Sequence, residues 1–498
     1  MTNSKLGSLA KQTAIYGLSS IIGRFLNYLL VPIHTHRMAA ESGGYGIVTN
    51  LYAYTALLLV ILTFGMETTF FRFSNKENVN PDKAFSTAGL SVGFVSLVFL
   101  LLVSLFLKPI AGALDYALHP EFVEIMAIIV AFDAFQSILF ARLRYENRPI
   151  KFMTLKLSFI VLSLLLNLFI FYLAPFLKEH YPFMMGWYQT SYQVGYIFIA
   201  NLICTTLVNF GFINEIKKLR YGIDRNLLKQ MLKYTWPILL LGLAGILNQV
   251  ADKIVFKKIV PGLEGEEQLG IYGACVKIAM IMAMITQAFR YAYEPFVFGG
   301  KRDTEDKATQ ASVMKYFIIF TLLAFLAVVM YMPLLQYLVG EGYREGLRVI
   351  PIVMMAEIFM GIYFNLSFWY KLTDQTWWGA VFSGIGCAVL LAINFIFVPK
   401  YSYMACAWGG FAGYATCMVL SYFVGQKKAP IPYDLKSAFL YFAVAIALFF
   451  VQKFIHIENT VLTLVVNTGL LMVFFAFICW REKDLVQGVV AWVKNRGK

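Results

Sequence analysis

The chain predicts an all-α polytopic membrane protein with about fourteen transmembrane helices, and three observations carry the prediction. Hydrophobic residues make up 59% of the 498 and charged residues only 14%, with a mean hydropathy of +0.68. Apolar stretches follow one another from Thr13 to Trp480, each long enough for a hydrocarbon core about 30 Å thick, which takes roughly 20 helical residues. The segments between them are too short for a soluble domain. Lipid offers backbone groups no hydrogen-bond partner, so every crossing has to be a helix.

Taken in order, the apolar stretches fall at 13–34, 45–70, 84–107, 122–141, 152–174, 187–210 and 234–252 in the first part of the chain. They continue at 269–295, 313–334, 347–370, 377–398, 403–425, 437–452 and 460–480. The first is too long for a signal-peptide core and lacks a small-residue cleavage pattern, so it reads as a retained helix. Counting from a cytoplasmic N-terminus, inner segments hold about three times as many Lys and Arg as outer ones, which puts both termini in the cytoplasm. Arg142, Arg144, Arg148 and Lys151 follow span four; Lys217, Lys218, Arg220, Arg225, Lys229 and Lys233 follow span six. The net charge of +14 is thus a topology signal and an attraction to anionic headgroups, and no nucleic-acid partner is expected.

Domain organisation follows from an internal repeat. Tyr45-Gly46 opens span two and Tyr272-Gly273 opens span eight, an offset of 227 that also carries Glu67 onto Glu294. The same offset sets Arg24 beside Asp252-Lys253. Spans 1–6 (residues 1–213) and 7–12 (residues 234–426) therefore read as two six-helix lobes in parallel pseudo-repeat. The basic stretch 214–233 reads as a cytoplasmic linker with a short amphipathic helix, and 427–498 as two extra C-terminal helices with a cytoplasmic tail. Parallel repeats related by an axis along the membrane normal place a binding site between the halves.

A charged side chain at mid-bilayer costs roughly 2.5–3.5 kcal/mol on insertion scales, so such residues face a cavity or a partner. Arg24 sits near the middle of span one in a stripe with Ser20 and Asn27. Lys277 is central in span eight, and Gln287, Arg290 and Glu294 share one face farther inward. Asp133 lies in span four, Glu357 and Asn365 in span ten, Gln189, Gln193 and Tyr196 in span six, and Asp252 at the end of span seven. Arg24, Lys277 and Arg290 suit an anion such as a diphosphate, since a guanidinium donates two parallel charge-assisted hydrogen bonds. Ser20, Asn27, Gln189, Gln193, Tyr196 and Asn365 are expected to line the same cavity. Asp133, Glu357, Asp252, Glu67 and Glu294 are the candidates for coupling to an ion. Each has a plainer reading: Arg290–Glu294 spaced i,i+4 fits an ion pair, and Asp252-Lys253 can pair at the interface.

No enzyme is expected. The loops are short, the five histidines are dispersed, and no GxxxxGK[ST] string occurs. His34 and His36 read as interfacial, and the six scattered cysteines as apolar packing rather than metal ligands. No cofactor is implied beyond a proton or sodium ion as coupling ion.

With Arg24 in span one, Tyr45-Gly46 opening span two and Arg142-Leu143-Arg144-Tyr145-Glu146-Asn147-Arg148-Pro149 after span four, the whole chain resembles the Wzx-like polysaccharide repeat-unit flippases. These belong to the multidrug/oligosaccharidyl-lipid/polysaccharide exporter superfamily. The resemblance implies two V-shaped lobes, alternating access and export of an undecaprenyl-diphosphate-linked oligosaccharide across the bacterial inner membrane for surface polysaccharide. It also implies that Arg24 contacts the diphosphate, that the last two spans accommodate the lipid tail, and that a polysaccharide polymerase and glycosyltransferases act in the same pathway. A multidrug/cation antiporter of the superfamily, a peptidoglycan lipid-precursor flippase and, less readily, a membrane glycan polymerase or ligase are the alternatives.

Overall fold

The computed structural model describes residues 28–183, 185–299, 304–373, 375–455 and 457–483, with backbone alone at 291–292, 294–299 and 304–306. It is all-helical, with no strand among the described residues. Twelve helices there are long and apolar enough to span a membrane, and a bent pair makes a thirteenth. Each falls on one of the predicted spans from the second to the fourteenth. Of the first, only the outer end is described, as α1 (Leu30–Arg37).

The N-terminal lobe holds α2 (Gly44–Thr63), α3 (Met66–Ser74), α4 (Pro81–Leu105), α5 (Pro120–Tyr145), α6 (Pro149–Leu168) and α7 (Gln193–Phe210). Local chemistry sets the boundaries. Proline occupies the first turn of α4, α5 and α6, where a missing N–H costs nothing, and Asn80 caps α4 by accepting from the Asp82 N–H. Phe64 and Gly65, both left-handed, break span two between α2 and α3. The C-terminal lobe holds α8 (Arg225–Ile259), α9 (Gly262–Ala279), α10 (Ile281–Gly299) and α11 (Thr304–Met330). It is completed by α12 (Ile350–Leu366), α13 (Trp377–Tyr401) and α14 (Tyr403–Lys428).

Two expectations are corrected here. Asp224 caps α8 by accepting from the N–H groups of Asn226 and Leu227, so Arg225–Lys233 are the first turns of span seven rather than linker. The linker itself is short helical turns over Ile213–Tyr221. Span eight is not one straight rod: α9 and α10 meet at 41° around Met280, whose N–H is shared by the carbonyls of Val276 and Lys277. The appended α15 (Leu435–Phe454) and α16 (Thr460–Arg481) pack on α11 and share the core of the C-terminal lobe through Tyr441, Ala445, Phe474 and Ile478.

We call the face carrying the basic loops inner and its opposite outer. The lobes meet mainly where α2 packs against α8 and α9. The repeat-related dipeptides make that contact possible. A Cβ on Gly46 would lie 1.8 Å from the Glu266 carbonyl oxygen, and one on Gly273 would lie 2.3 Å from Thr49 Oγ1. Only glycine lets the two helices approach so closely.

Beside this contact a buried polar network ties the lobes together at the outer face. Lys257 of α8, only 4% exposed, donates to Glu266 Oε1 at 2.7 Å and sits 3.5 Å over the Tyr116 ring. Asp115, in the outer loop of the N-terminal lobe, lies 3.9 Å from the same ammonium and accepts from the Gly262 N–H. Tyr116 donates to Asn50 Oδ1 at 2.9 Å, and Asn50 Nδ2 donates to the Lys253 carbonyl at 2.9 Å. Near the inner face the lobes touch again, where the Thr69 and Thr235 hydroxyls are hydrogen-bonded.

Candidate functional site

Single faces of several helices converge on a cavity of about 700 Å³ between the lobes. From α2 it takes Tyr45, Val48, Thr49, Tyr52 and Ala56, a stripe at helical spacing, and from α6 it takes Phe159, Ser163 and Asn167. Asp133 enters from α5 and Asn201 from α7. Across the gap stand Asn248, Gln249, Asp252 and Lys253 of α8, then Tyr272 and Lys277 of α9. Thr286, Gln287 and Arg290 of α10 and Ala356, Glu357, Met360 and Phe364 of α12 complete that wall. The bend at Met280 swings α10 so that Arg290 points to the same space as Lys277.

The charges in this cavity are unevenly satisfied. Asp252 is buried, accepts from the Tyr272 hydroxyl at 2.7 Å and is bridged by Lys253 Nζ at 3.0 Å. Lys253 also donates to the Gln249 carbonyl at 3.0 Å. Arg290 lies 5.1 Å from the Phe364 ring centroid. Lys277 is surrounded by protein yet opens onto the cavity, and it makes no hydrogen bond or ion pair to any described residue. Asp133 likewise has no hydrogen-bond or ion-pair partner among the described residues, with Lys156 as the cation whose field it feels. Thr286 Oγ1 and Asn248 Oδ1 are buried without a hydrogen-bond partner among the described residues. Such groups are costly in a dry interior and suit a wet cavity or a polar ligand.

Of the residues singled out in the sequence, Lys277, Arg290, Asp133, Glu357 and Asp252 are brought together on the cavity wall. Arg24, Ser20 and Asn27 lie outside the described residues, and Glu294 falls where only the helix backbone is described. Four expected lining residues are elsewhere. Gln189 is exposed at the outer end of span six, where its N–H donates to the Tyr196 hydroxyl. Tyr196 is buried against Tyr188 in an outer aromatic cluster with Gln193 one turn away, and Asn365 is buried, donating to the Gly361 carbonyl at 3.1 Å. A helical stripe read without its neighbours does not say which face meets the other lobe. Glu67 is drawn instead into an ion pair with Arg144 at the inner face.

That inner face carries its own network. Arg142 pairs with Asp82 and Glu146, Lys218 reaches Glu146, and Lys151 bonds Glu215 at 2.7 Å. Burial alone would raise the Glu146 carboxyl, but the hydrogen bonds from Lys218 and Arg142 outweigh it and hold it below its ordinary range.

Sequence reasoning missed several cavity groups. His34, read as interfacial, is 5% exposed and on the wall. Asn167 Nδ2 donates to the Ser163 carbonyl, which leaves Oδ1 as acceptor and makes His34 Nε2 the donor at 2.7 Å. Tyr52 and Asn201, hydrogen-bonded at 2.7 Å, were also passed over. The signal was present in Ser163–Asn167 and Tyr45–Thr49–Tyr52, polar residues at helical spacing inside apolar spans.

The profile of a family described as polysaccharide biosynthesis protein matches residues 9–296. No curated protein matches the sequence. Among solved structures, the chain is similar to the lipid II flippase MurJ in its inward closed conformation. The TM-score is 0.72 at 14% identity, covering 94% of this chain and 99% of that one. It is also similar to an inward-facing multidrug resistance MATE family transporter of the MOP superfamily, with a TM-score of 0.64 at 13% identity over 81% of this chain and 94% of that one. The MATE multidrug transporter DinF-BH gives 0.59 at 15% identity over 86% and 96%. At these identities the likeness concerns the fold.

Proposed function

The chain belongs to the polysaccharide biosynthesis protein family and is a membrane transporter of the MOP superfamily; from this premise we propose that it flips an undecaprenyl-diphosphate-linked oligosaccharide from the cytoplasmic to the outer leaflet of a bacterial inner membrane. The observation that carries the reading is Lys277, open to the interlobe cavity without an ion-pair partner among the described residues, with Arg290 on the same wall. Two cations in a space shielded from bulk water favour a dianionic headgroup, and charge-assisted hydrogen bonds hold it there. The oligosaccharide rides in the polar cavity while the polyprenyl tail stays in lipid. Arg24, in span one, joins the diphosphate from the opposite lobe.

Transport then alternates the lobes about their α2–α8–α9 contact. Opening outward separates Lys257 from Asp115 and Tyr116, and a proton or sodium gradient acting on Asp133, Glu357 or Asp252 drives the cycle. Both termini lie in the cytoplasm, with the glycosyltransferases of the pathway supplying substrate on that side and a polymerase consuming it outside. The test reconstitutes the chain in liposomes with a fluorescent lipid-linked oligosaccharide and follows its translocation. Arg24→Ala with Lys277→Ala abolishes flipping; translocation that survives both changes overturns the anion site. Drug resistance conferred on a pump-deficient host, with no transport of the glycolipid, would instead favour the multidrug antiporter, for which the same three acids suit a cation.

A further inference from the structure

The two walls of the cavity differ in kind. All three cations lining it among the described residues, Lys253, Lys277 and Arg290, come from the C-terminal lobe. The described wall of the N-terminal lobe carries one formal charge, the Asp133 carboxylate, amid neutral hydrogen-bonding groups. Among the described residues the cations that draw an anionic headgroup thus stand on the C-terminal wall, and the diphosphate, joined by Arg24 as proposed above, lies toward them. Asp133 keeps its acceptor sites open, having no donor among the described residues, and a carboxylate can accept from two adjacent hydroxyls at once. Tyr52 presents a ring that is 36% exposed and set edge-on to Phe198 at 6.2 Å. Its oxygen accepts from Asn201 Nδ2 at 2.7 Å, so its own hydrogen remains free to donate into the cavity.

We propose that Asp133, Tyr52 and Asn201 form a subsite for the sugar hydroxyls of the substrate, so that the glycolipid lies with its sugar against these N-terminal-lobe groups and its diphosphate toward Lys277 and Arg290. This inference rests on the lipid-linked oligosaccharide reading given above. It makes the N-terminal wall the determinant of which glycan is accepted, because an acceptor or donor left unpaired by the wrong sugar is costly. It gives that role to groups on the cavity wall, where Gln189, Gln193, Tyr196 and Asn365, expected to line it, do not stand.

The experiment measures binding to the full chain in nanodiscs, at fixed pH and without a gradient, so that ion coupling does not enter. Two probes are compared: polyprenyl diphosphate bearing a neutral oligosaccharide, and the same lipid diphosphate without sugar. Asp133→Asn, Asn201→Ala and Tyr52→Phe (which removes one oxygen and keeps the ring packed) each raise the ratio of the two Kd values, sugar-bearing over bare, by about tenfold. Lys277→Met weakens both probes and leaves the ratio unchanged. A ratio unmoved by all three N-terminal-lobe variants, in protein that binds both probes, overturns the subsite alone. Wild-type protein that binds neither probe sinks the transport reading and the subsite with it.

Discussion

Lys257 is the most informative residue to perturb, because it closes the outer face by charge rather than by bulk. Its ammonium is 4% exposed and the Glu266 side chain 14% exposed, 2.7 Å apart, with the Tyr116 ring 3.5 Å below the ammonium. Lys257→Met keeps the aliphatic stem against Tyr116 and strands the Glu266 carboxylate. Removing one partner of a buried pair costs about 3–5 kcal/mol. The cost falls on the closed arrangement, since an open outer face hydrates Glu266. The equilibrium between closed and open outer faces therefore moves toward open by roughly a hundredfold to a few thousandfold. Lys257→Met with Glu266→Gln removes both charges and gives a smaller shift, because no ion is stranded. The assay places a single cysteine at Ala56, on the cavity wall, in a chain whose six native cysteines are replaced, and times its reaction with a membrane-impermeant maleimide added from the outer side. Labelling accelerates in Lys257→Met and less in the double variant. A labelling rate equal to that of the parent in Lys257→Met, in protein that melts normally, would show that Lys257 does not hold the outer face shut.

Gly46→Ala forces a methyl to 1.8 Å from the Glu266 carbonyl oxygen, which the lobes must part to accommodate; a loss of about 1–3 kcal/mol in thermal stability and faster outside labelling are expected. At the inner face, Glu146 titrates below its ordinary range when folded, so its contribution is present above the unfolded carboxylate pKa and lost as pH falls through the folded value. Melting curves of detergent-solubilised protein should therefore decline toward acid pH, and Glu146→Gln should flatten part of that decline. The appended helices are clipped to α11 by Glu482, which takes Lys315 Nζ at 2.7 Å and the Tyr441 hydroxyl at 2.9 Å. Glu482→Ala leaves a part-buried ammonium without its partner, and earlier proteolysis between α14 and α15 is the expected sign.

What the sequence revealed and what it hid follow from the same physics. Span number and order were legible because hydrocarbon admits only helices, and thirteen predicted spans reappear among the described residues, one of them as the bent pair. The cavity charges were legible for the converse reason: Asp133, Lys277, Arg290 and Glu357 are too costly to face lipid, so their presence alone placed them inside. Neutral polar groups carry no such penalty. Gln189 and Asn365 looked like lining residues, whereas His34 and Asn201 did not, because a neutral amide or imidazole is satisfied as readily within its own helix, as Asn365 is by Gly361, as by another helix, as His34 is by Asn167 and Asn201 by Tyr52. The repeat was legible as a dipeptide, but its purpose was not. Tyr45-Gly46 and Tyr272-Gly273 sit at equivalent places in the two lobes, and each glycine makes room for the helix carrying the other. A contact built from equivalent elements on both sides of an axis is a natural pivot, since rotation there disturbs both lobes alike. The charged lock at Lys257 and Asp115 has no repeat-related counterpart in the sequence reading. In the proposed cycle the pivot is thus symmetric and the outer lock one-sided, so the lock can be altered without disturbing the axis of the proposed rotation.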